Sequence, residues 1–347
     1  MDAKAKRELL ELIEEKERRA AGRKLYAYYP DQGPLRRELY RKHTAFFAAG
    51  AKYRERCMMA ANRVGKTEGV GAFEVTCHLT GEYPKWWEGR RFNRPVSGRA
   101  AGDTSKTVRD IIQKKLLGKF DSLGTGLIPR ELLVKTTRKT GISEAIDSIY
   151  VRHASGGTSQ LTLKSYEEGR ESFQGDEQDL TWLDEEPPLD IYVECLLRTM
   201  TVDGIVISTF TPLAGLSETV LSFLPGGEIK PLIEGEKFLI MATWDDAPHL
   251  TRAQKDELWA AIPPYQREAR AKGIPQLGSG AIYPIPESDI IIPDIQIPEH
   301  WTRGLSMDVG WKRTSVGLWA LDKDNDILYR TGEHYRGEEP PRPTTTP

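Results

Sequence analysis

The stretch Cys57–Gly69, "CMMAANRVGKTEG", joins a short apolar run to a loop that ends in the tripeptide Gly-Lys-Thr at 65–67. The apolar run predicts a buried strand, and we expect a helix to begin at Lys66. Phosphate-binding loops follow the pattern G-x-x-x-x-G-K-[ST], because their backbone N–H groups and a helix N-terminus point at phosphate oxygens. Here the first glycine is replaced by Ala60, and Arg63 lies inside the loop. The stretch therefore predicts a variant phosphate-binding loop.

Each residue at the end of this loop has an expected task. Gly65 lets the backbone turn and approach the ligand, the Lys66 ammonium reaches the β and γ phosphates, and the Thr67 hydroxyl ligates Mg²⁺. The alternative is a Gly-Lys-Thr that occurs by chance in a surface turn. The predicted nucleotide-binding residues of the loop are Ala60, Ala61, Asn62, Arg63, Val64, Gly65, Lys66 and Thr67.

A second motif, "LTWLDEE" at 180–186, has the form of a buried strand that ends in acids. Asp184 would hold Mg²⁺ through a water molecule, and Glu185 would polarise the attacking water. The alternative is that these acids cap a helix that begins near Leu189. The long interval between Lys66 and Asp184 fits ATPases that insert a strand between the two motif strands and use a catalytic glutamate. The sequence contains no guanine-specifying N-K-x-D, so ATP is favoured.

A third motif, "ISTFTP" at 207–212, follows the next predicted strand. Its small hydroxyl residues are Ser208, Thr209 and Thr211, which could sense the γ-phosphate through hydrogen bonds. Motor ATPases use such a strand end to couple hydrolysis to motion. The alternative is a simple turn before Pro212.

Composition and charge limit the possible partners. The chain has 347 residues, 39% hydrophobic and 29% charged, which favours two domains or one large domain with an appendage. Its apolar runs are far shorter than the roughly 18 residues that a membrane span needs, and its three cysteines and six histidines form no metal-ligand pattern. Net charge is only −2. However, 90–139 carries 13 Lys or Arg against 4 Asp or Glu, and the acidic stretch 167–190 follows it, which suits either a phosphate-backbone binder with a metal centre or a solvated surface.

Short apolar runs alternate with helical patterns, which predicts an α/β fold with a mainly parallel sheet and flanking helices. We predict an N-terminal helix over 1–24, an ATPase domain over 25–275 and a Pro- and Gly-rich linker over 276–302. Three strand-like runs follow the linker and indicate the opening meander of a second domain, over 303–347.

With its three motifs in this order, the chain resembles the large subunit of a tailed-phage terminase, the DNA-packaging motor. The segments "AANRVGKT", "TWLDEE" and "STFTP" are similar to the Walker A, Walker B and coupling motifs of that family, and "KSYEEGRESFQG" at 164–175 is similar to the segment before Walker B. The resemblance covers roughly residues 25 to 335 and implies a P-loop NTPase fold of the ASCE type. Terminases commonly lack the first glycine and carry an arginine in the loop. The resemblance therefore implies that Arg63 is a phosphate sensor or a cis-acting finger.

The resemblance also implies an activity and partners. The activity is ATP- and Mg²⁺-dependent translocation of double-stranded DNA into a procapsid. It is expected in the cytoplasm of the bacterial host, and no membrane is expected as a partner. The implied partners are a portal protein, a small terminase subunit and further copies of the chain in a ring, expected to be a pentamer. Related ATPases recognise adenine with a Gln and an aromatic residue before Walker A, and "YAYYPDQGP" offers Tyr28, Tyr29 and Gln32 for this task. The alternative is a Pro-Asp turn with packed tyrosines.

Terminase large subunits carry a C-terminal RNase H-like nuclease that uses two Mg²⁺ or Mn²⁺ ions. The segment "GLSMDVGWKRTSVGLWALD" resembles its first hairpin, with Asp308 as the first metal-binding carboxylate. The alternative is an exposed strand aspartate. The further acids of that family would follow in a later strand and a helix, so we expect a truncated nuclease domain that does not cleave DNA. A helicase-like ATPase on single strands and a non-motor nucleotide-binding assembly protein are the competing functions.

Overall fold

The computed structural model describes residues 23–276, 291–309 and 313–337. Residues 1–22 of the helix predicted for 1–24, and residues 277–290 of the predicted linker, lie outside these ranges. The chain divides into two compact units, Met1–Ile285 and Pro286–Pro347, each of which is described by itself. Within the described ranges, no helix combines the length and the apolar character that crossing a lipid bilayer demands.

The strands are numbered in chain order. They are β1 (Glu55–Ala60), β2 (Ser97–Gly102), β3 (Gly118–Lys119), β4 (Ser122–Leu123), β5 (Leu133–Arg138), β6 (Ile146–Arg152), β7 (Thr158–Ser165), β8 (Leu180–Asp184), β9 (Ile205–Phe210), β10 (Leu232–Glu234), β11 (Phe238–Ala242), β12 (Thr302–Val309), β13 (Arg313–Asp322) and β14 (Ile327–Gly337).

The helices are numbered in the same way, and some α-helices are continuous with π-helical turns. The α-helices are α1 (Lys24–Ala27), α2 (Arg41–Ala49), α3 (Phe73–Thr80), α4 (Ser105–Thr107), α5 (Lys114–Leu117), α6 (Leu189–Met200), α7 (Glu218–Ser222) and α8 (Arg252–Ala261). The π-helical turns are Lys66–Ala72, Val108–Gln113 and Glu268–Lys272. The 3-10 turns are Arg37–Leu39, Arg130–Leu132, Tyr166–Glu168, Arg170–Phe173, Pro225–Gly227, Trp244–Asp246 and Pro264–Gln266.

The first unit is built on a nine-stranded sheet in the order β10-β11-β1-β9-β8-β2-β7-β6-β5. Its six central strands, from β11 to β7, pair in parallel. The strands at its two edges pair antiparallel. The α/β class with a mainly parallel sheet is therefore confirmed. Strand β9 lies between β1 and β8, so the inserted strand that the sequence predicted is confirmed as well.

Strands β1, β8, β9 and β11 are buried on both faces, as expected of parallel strands covered by helices. In β1, Met58 and Ala60 belong to one buried cluster and Cys57 and Met59 to the other. Successive side chains of a strand point to opposite faces, so one apolar run supplies both layers. This arrangement explains why the decisive strand is a continuous apolar run rather than an alternating one.

The helix after the loop packs directly against the middle of the sheet. A Cβ added at Gly71 would lie 2.2 Å from the Trp182 ring of β8, so only glycine permits this approach. Glu74 and Arg56 are both completely buried and form an ion pair of 2.5 Å, and Arg56 also donates to the Phe46 carbonyl at 2.8 Å. A buried pair of this kind is costly to break, because the remaining charge is left without a partner. The pair therefore fixes β1, the following helix and α2 relative to one another.

Local signals in the sequence agree with these elements. The helix begins at Lys66 after a Gly65 N-cap, as predicted. The helical segment that begins at Ser105 has Thr104 as its N-cap, and Gly118 follows its last residue. Strands β6 and β7 form an antiparallel pair around Gly156 and Gly157. A capping box of Thr251 and Gln254 begins α8.

The second unit contains a meander in the order β12-β13-β14, with both pairs antiparallel. The three strand-like runs of the sequence are therefore confirmed as strands. Within this unit every residue of β12 is exposed, including the apolar Leu305, Met307 and Val309.

Candidate nucleotide-binding site

The carboxyl ends of β1, β9 and β8 meet at one edge of the sheet. Met58 of β1 lies opposite Thr209 of β9, and Thr209 lies opposite Asp184 of β8. In sheets of this kind ligands bind beside the carboxyl ends of the strands. The sheet thus places the loop, the acidic pair and the third motif side by side.

Two hydroxyl groups converge on one oxygen of Asp184. Thr67 Oγ1 donates to Asp184 Oδ1 at 3.0 Å, and Thr209 Oγ1 donates to the same oxygen at 2.8 Å. Trp182 Nε1 donates to Thr209 Oγ1 at 2.8 Å, which directs the Thr209 hydroxyl hydrogen toward the carboxylate. The three sequence motifs are therefore joined by direct hydrogen bonds at Asp184.

The Asp184 carboxylate is a good oxygen ligand for a cation. Burial and the neighbouring Glu185 raise the pKa of Asp184 to about 7, although Lys66 and the two hydroxyl donors lower it. A buried carboxylate of this kind is stabilised by a nearby positive charge. Hydroxyl and carboxylate oxygens are also the donors that Mg²⁺ prefers. The residues present therefore fit Mg²⁺.

Glu185 is held by its backbone and leaves its side chain accessible. Its φ of 61° lies in the left-handed region, and its N–H donates to the Thr209 carbonyl at 3.0 Å. The Tyr166 hydroxyl lies 3.1 Å from the Asp184 carbonyl oxygen and 3.0 Å from that of Glu185. The Glu185 side chain is 41% exposed and its Oε1 lies 3.9 Å from Lys66 Nζ. The Glu185 carboxylate thus lies beside the nearly buried Lys66 ammonium and remains open to solvent. In this position it can accept a proton from a water molecule.

The loop itself is a sharply turned segment. Gly65 has a φ of +92°, a region that favours glycine, and Arg63 has a φ of 65° with an exposed side chain. Thr211 Oγ1 lies 2.7 Å from the Ala60 carbonyl oxygen and 2.9 Å from Asn62 Oδ1. The third motif therefore contacts the beginning of the loop as well as Asp184.

Ser208 differs from the other two residues predicted for coupling. It is buried in β9 and lies on the opposite face from Thr209, because neighbouring side chains in a strand alternate. Its hydroxyl makes no hydrogen bond within the described part of the chain. The structure thus brings Thr209 and Thr211 to the motifs and leaves Ser208 in the core.

Several open cavities adjoin the loop, and Gly65 lines two of them. The larger, of about 710 Å³, is lined by Asn62, Arg63, Gly65, Lys66, Thr67, Glu68, Ile111, Lys115, Glu185, His249, Leu250, Gln254, Glu257 and Leu258. The smaller, of about 310 Å³, is lined by Ala27, Tyr28, Tyr29, Pro30, Leu35, Tyr40, His43, Gly65, Glu68, Gly69 and His249. The first is lined mainly by polar and charged residues. The second, which we call the aromatic cavity, includes three tyrosines and two histidines among its eleven lining residues. Gln32 is exposed and is not among the described residues that line either cavity.

The aromatic cavity is ordered by a buried histidine. The Tyr29 hydroxyl lies 2.8 Å from His43 Nδ1 and 2.6 Å from the Gly69 carbonyl oxygen. Burial lowers the pKa of His43 to about 4, which keeps the ring neutral. The neutral ring lies beside Gly65 and adds no charge to the loop.

Glu68 lies between the two cavities and carries a stable negative charge. Burial raises its pKa, but hydrogen bonds from Lys115, Lys24 and Tyr28 outweigh this effect and lower the pKa to about 2. Lys24 and Lys115 both form ion pairs with it. Glu68 therefore links the N-terminal segment of the first unit to the helix that ends at Leu117.

The basic stretch 90–139 is partly neutralised by ion pairs. Arg94 pairs with Asp179 at 2.6 Å, and Arg90 pairs with Asp203 at 2.9 Å. Lys139 pairs with Glu168 at 2.5 Å. The excess of Lys and Arg in 90–139 therefore overstates the positive charge that this part of the surface presents.

Several residues near the loop were not singled out by the sequence motifs, among them four with ring side chains. Tyr40, His43, Trp244 and His249 come from α2 with the residue before it and from the segment after β11. No spacing in the sequence marks the two histidines, since the six histidines of the chain form no metal-ligand pattern. Trp244 and His249 lie beside the loop because β11 pairs with β1.

Strand, turned loop and helix, with an acidic pair at the end of a strand two places away, define a P-loop NTPase. A family model described as "Terminase large subunit, T4likevirus-type, N-terminal" matches residues 57–290. The chain therefore belongs to the family of phage terminase large subunits.

Individual relatives agree with this assignment. The terminase large subunit of Salmonella phage P22 is 38% identical over 344 residues, and the match covers 93% of this chain and 66% of that protein. The terminase large subunit of Enterobacteria phage LP7 is 40% identical over 144 residues, which is 41% of this chain and 29% of that protein. The chain thus spans less than two thirds of the length of either relative.

The fold is also found in a solved structure. The large terminase of a thermophilic bacteriophage matches with a TM-score of 0.50 and 16% identity, over 86% of this chain and 68% of that chain. At this identity the likeness concerns the fold alone.

Proposed function

We propose that this chain hydrolyses ATP, with Thr67 and Asp184 as the residues that hold Mg²⁺. The observation that carries the proposal is the convergence of the Thr67 and Thr209 hydroxyls on Asp184 Oδ1, at 3.0 and 2.8 Å. This contact joins the loop, the acidic strand and the third motif at one oxygen. Mg²⁺ bound there supplies neutralisation of the phosphate charge.

The chain's own residues divide the remaining tasks. Lys66 contacts the terminal phosphates, and Glu185 orients a water molecule and accepts its proton. Arg63, whose side chain is exposed in the larger cavity, directs its guanidinium at the γ-phosphate, where charge develops. Thr209 holds the Asp184 carboxylate in place throughout.

The smaller cavity is the proposed adenine site. It adjoins Gly65 and is lined by Tyr28, Tyr29 and Tyr40, whose rings offer faces and edges for a planar base. Gln32 stays a proposed base contact, which requires the exposed segment around it to approach the bound nucleotide.

We further propose that hydrolysis drives double-stranded DNA into a procapsid. Family membership supports this assignment, and so does the contact of β9 with both motifs through Thr209 and Thr211. Motion of one strand end could thus report the state of the γ-phosphate. The proposed setting is a homo-oligomeric ring, a pentamer, on a portal protein in the cytoplasm of the bacterial host, with a small terminase subunit that helps to select DNA. Ser208 remains a proposed coupling residue through its place in β9.

An ATPase assay with and without DNA tests the proposal. We expect turnover that rises with double-stranded DNA and is lost in Lys66→Ala, because that change removes the charge that anchors the phosphates. Stimulation by single-stranded DNA alone would instead indicate a helicase-like enzyme. ATP binding without turnover would indicate a nucleotide-binding assembly protein.

For the second unit we propose that Asp308 is a metal-binding carboxylate of an RNase H-like nuclease, with Mg²⁺ or Mn²⁺. Within the described residues, no group of three or more His, Cys, Asp or Glu side chains could hold a metal ion. A plasmid-nicking assay with Mn²⁺ tests the assignment. We expect no cleavage, because two-metal cleavage needs further carboxylates beside Asp308. Cleavage that disappears in Asp308→Ala would support Asp308 as a metal ligand and would contradict the expected lack of cleavage.

A further inference from the structure

The outer side of the phosphate-binding loop is contacted by two ring N–H groups from one short segment. Trp244 Nε1 lies 2.9 Å from the Asn62 carbonyl oxygen, and His249 Nε2 lies 2.8 Å from the Arg63 carbonyl oxygen. We call Trp244 and His249 the ring pair. Two consecutive carbonyls of the loop therefore accept hydrogen bonds from donors that lie far away in the sequence.

We propose that the ring pair positions the loop amides for phosphate binding. The chain has no cis peptide bond among its described residues, so the C=O and N–H of each loop peptide point in opposite directions. Holding the carbonyls of Asn62 and Arg63 on the ring side turns the N–H groups of Arg63 and Val64 to the other side. The inference rests on the proposed nucleotide binding and names residues that this binding requires.

The backbone of Arg63 shows why such contacts are needed. Its φ of 65° lies in the left-handed region, which is unfavourable for a residue with a side chain. Conformations of this kind persist only where the surroundings hold them. The hydrogen bond from His249 to the Arg63 carbonyl is a specific contact that holds it.

The tautomer of His249 follows from its partners. A carbonyl oxygen can only accept, so Nε2 must carry the ring proton. The unprotonated Nδ1 then accepts from the Tyr40 hydroxyl, which lies 3.2 Å away. Burial raises the pKa of Tyr40, which keeps its hydroxyl protonated. The two rings are nearly parallel, with an interplanar angle of 13° and centroids 6.1 Å apart. Tyr40 therefore fixes both the plane and the tautomer of His249.

The segment that carries the ring pair is itself anchored. A capping box joins Thr243 and Asp246, with the Thr243 N–H 2.8 Å from Asp246 Oδ2. Asp246 also pairs with Lys42 of α2 at 2.8 Å, two residues after Tyr40. The ring pair and Tyr40 thus belong to one connected unit beside the loop. His249 lines both cavities, so Tyr40 and the ring pair lie between the proposed base and phosphate positions.

Four variants test the role of these residues through ATP turnover. We expect His249→Ala to raise the KM for ATP about 5-fold with a smaller change in kcat, because one net hydrogen bond is lost. His249→Gln should restore the KM to within about 2-fold, since its amide can donate to the same carbonyl. Trp244→Phe keeps the ring and removes its N–H, and should also raise the KM about 5-fold. Tyr40→Phe should raise it about 2-fold, because the tautomer is no longer fixed.

The control variant is His334→Ala, an exposed histidine of the second unit, which should leave KM and kcat unchanged. Melting temperatures identify variants that fail to fold. An unchanged KM in both His249→Ala and Trp244→Phe, with melting temperatures of the wild type, overturns the proposal. So does a His249→Gln variant that behaves as His249→Ala does.

A second measurement does not depend on ATP turnover. Nuclear magnetic resonance of the chain with ¹⁵N-labelled histidine, without nucleotide, reports which ring nitrogen of His249 is protonated. We expect the Nε2–H tautomer in the wild type and a mixture of tautomers in Tyr40→Phe. A wild-type Nδ1–H tautomer overturns the ring pair even if the chain hydrolyses ATP. An Nε2–H tautomer in a chain that binds no ATP would instead refute the proposed function.

Discussion

Asp184 and Asp308 both lie on strands whose sequence predicted metal chemistry, yet the two strands have different surroundings. Every residue of β8 is buried, whereas every residue of β12 is exposed within its unit. Asp184 accepts hydrogen bonds from two hydroxyl groups, and its burial raises its pKa to about 7. Neighbours that remove water and direct donors at it thus determine the chemistry of Asp184, which we propose as a metal ligand.

The apolar residues of the two strands differ in the same way. Leu180, Trp182 and Leu183 of β8 are 0% exposed, because layers cover both faces of the sheet. Leu305 and Met307 of β12 are 64% and 61% exposed. An antiparallel meander presents its apolar side chains on one face, and that face needs a covering layer to become a core. Substituting Glu185 in the first unit and Asp308 in the second tests whether this difference in surroundings matters for ATP hydrolysis.

The largest expected effect follows from Glu185→Gln. The amide keeps the shape of the side chain but cannot accept a proton, so we expect kcat to fall by about 10³-fold, within the range usual for general bases. ATP affinity should change little, since the loop and Lys66 are intact. Turnover above a tenth of the wild-type rate would contradict the role of Glu185.

A smaller loss is expected from Arg63→Ala. A guanidinium aimed at the γ-phosphate acts most strongly when charge develops, so kcat should fall about 10²-fold while KM changes less than about 3-fold. This pattern is opposite to that expected for His249→Ala, which acts on the backbone of the same residue. Arg63→Lys serves as the control that retains the charge without the planar fork. A collapse of ATP affinity with unchanged kcat would make Arg63 a ground-state anchor only.

The sequence predicted those features of the first unit that depend on local pattern. The strand at 57–60, the helix after Gly65 and the acidic strand end at Asp184 each follow from a short run of residues. The position of β9 between the motif strands also followed from the long interval between them. The contact of Thr67 with Asp184 is therefore close to what the motifs imply.

The remaining parts of the site depend on contacts between distant segments. Trp244 and His249 reach the loop because β11 pairs with β1, and no spacing in the sequence reveals that pairing. The alternation of β9 separates Ser208 from Thr209, which a list of hydroxyl residues does not show. The ion pairs of Arg90 and Arg94 likewise join the basic stretch to Asp203 and Asp179. Burial and pairing decide the chemistry of these residues, and both are properties of the fold.

Stability at low pH provides a third comparison, between a buried and an exposed histidine. Burial lowers the pKa of His43 to about 4 from its ordinary value of 6.5. The unfolded chain therefore binds more protons between these values, so this stability is present above pH 6.5 and is lost as pH falls toward 4. The contribution of His43 to the free energy of unfolding should fall by about 2 kcal/mol between pH 7 and pH 5.

Urea unfolding of the wild type and of His43→Asn measures this contribution. The variant should lose stability at pH 7 and should show a weaker dependence on pH over this window. The matched control is His334→Asn in the exposed meander, which should keep the pH dependence of the wild type. An equal pH dependence in His43→Asn and the wild type would show that His43 does not titrate in this way.

The smallest effect on ATP turnover is expected from Asp308→Asn, the counterpart of Glu185→Gln in the second unit. Within the part of the chain that the structure describes, the hydrogen bonds of the Asp184 network come from residues of the first unit, namely Thr67, Thr209 and Trp182. Losing the Asp308 charge removes none of them, so kcat and KM should each change less than about 2-fold, the effect usual for an exposed substitution. The same steady-state assay as for Glu185→Gln gives both numbers. A tenfold fall in kcat would show that Asp308 acts on ATP hydrolysis. Burial would then not explain the contrast between Asp184 and Asp308.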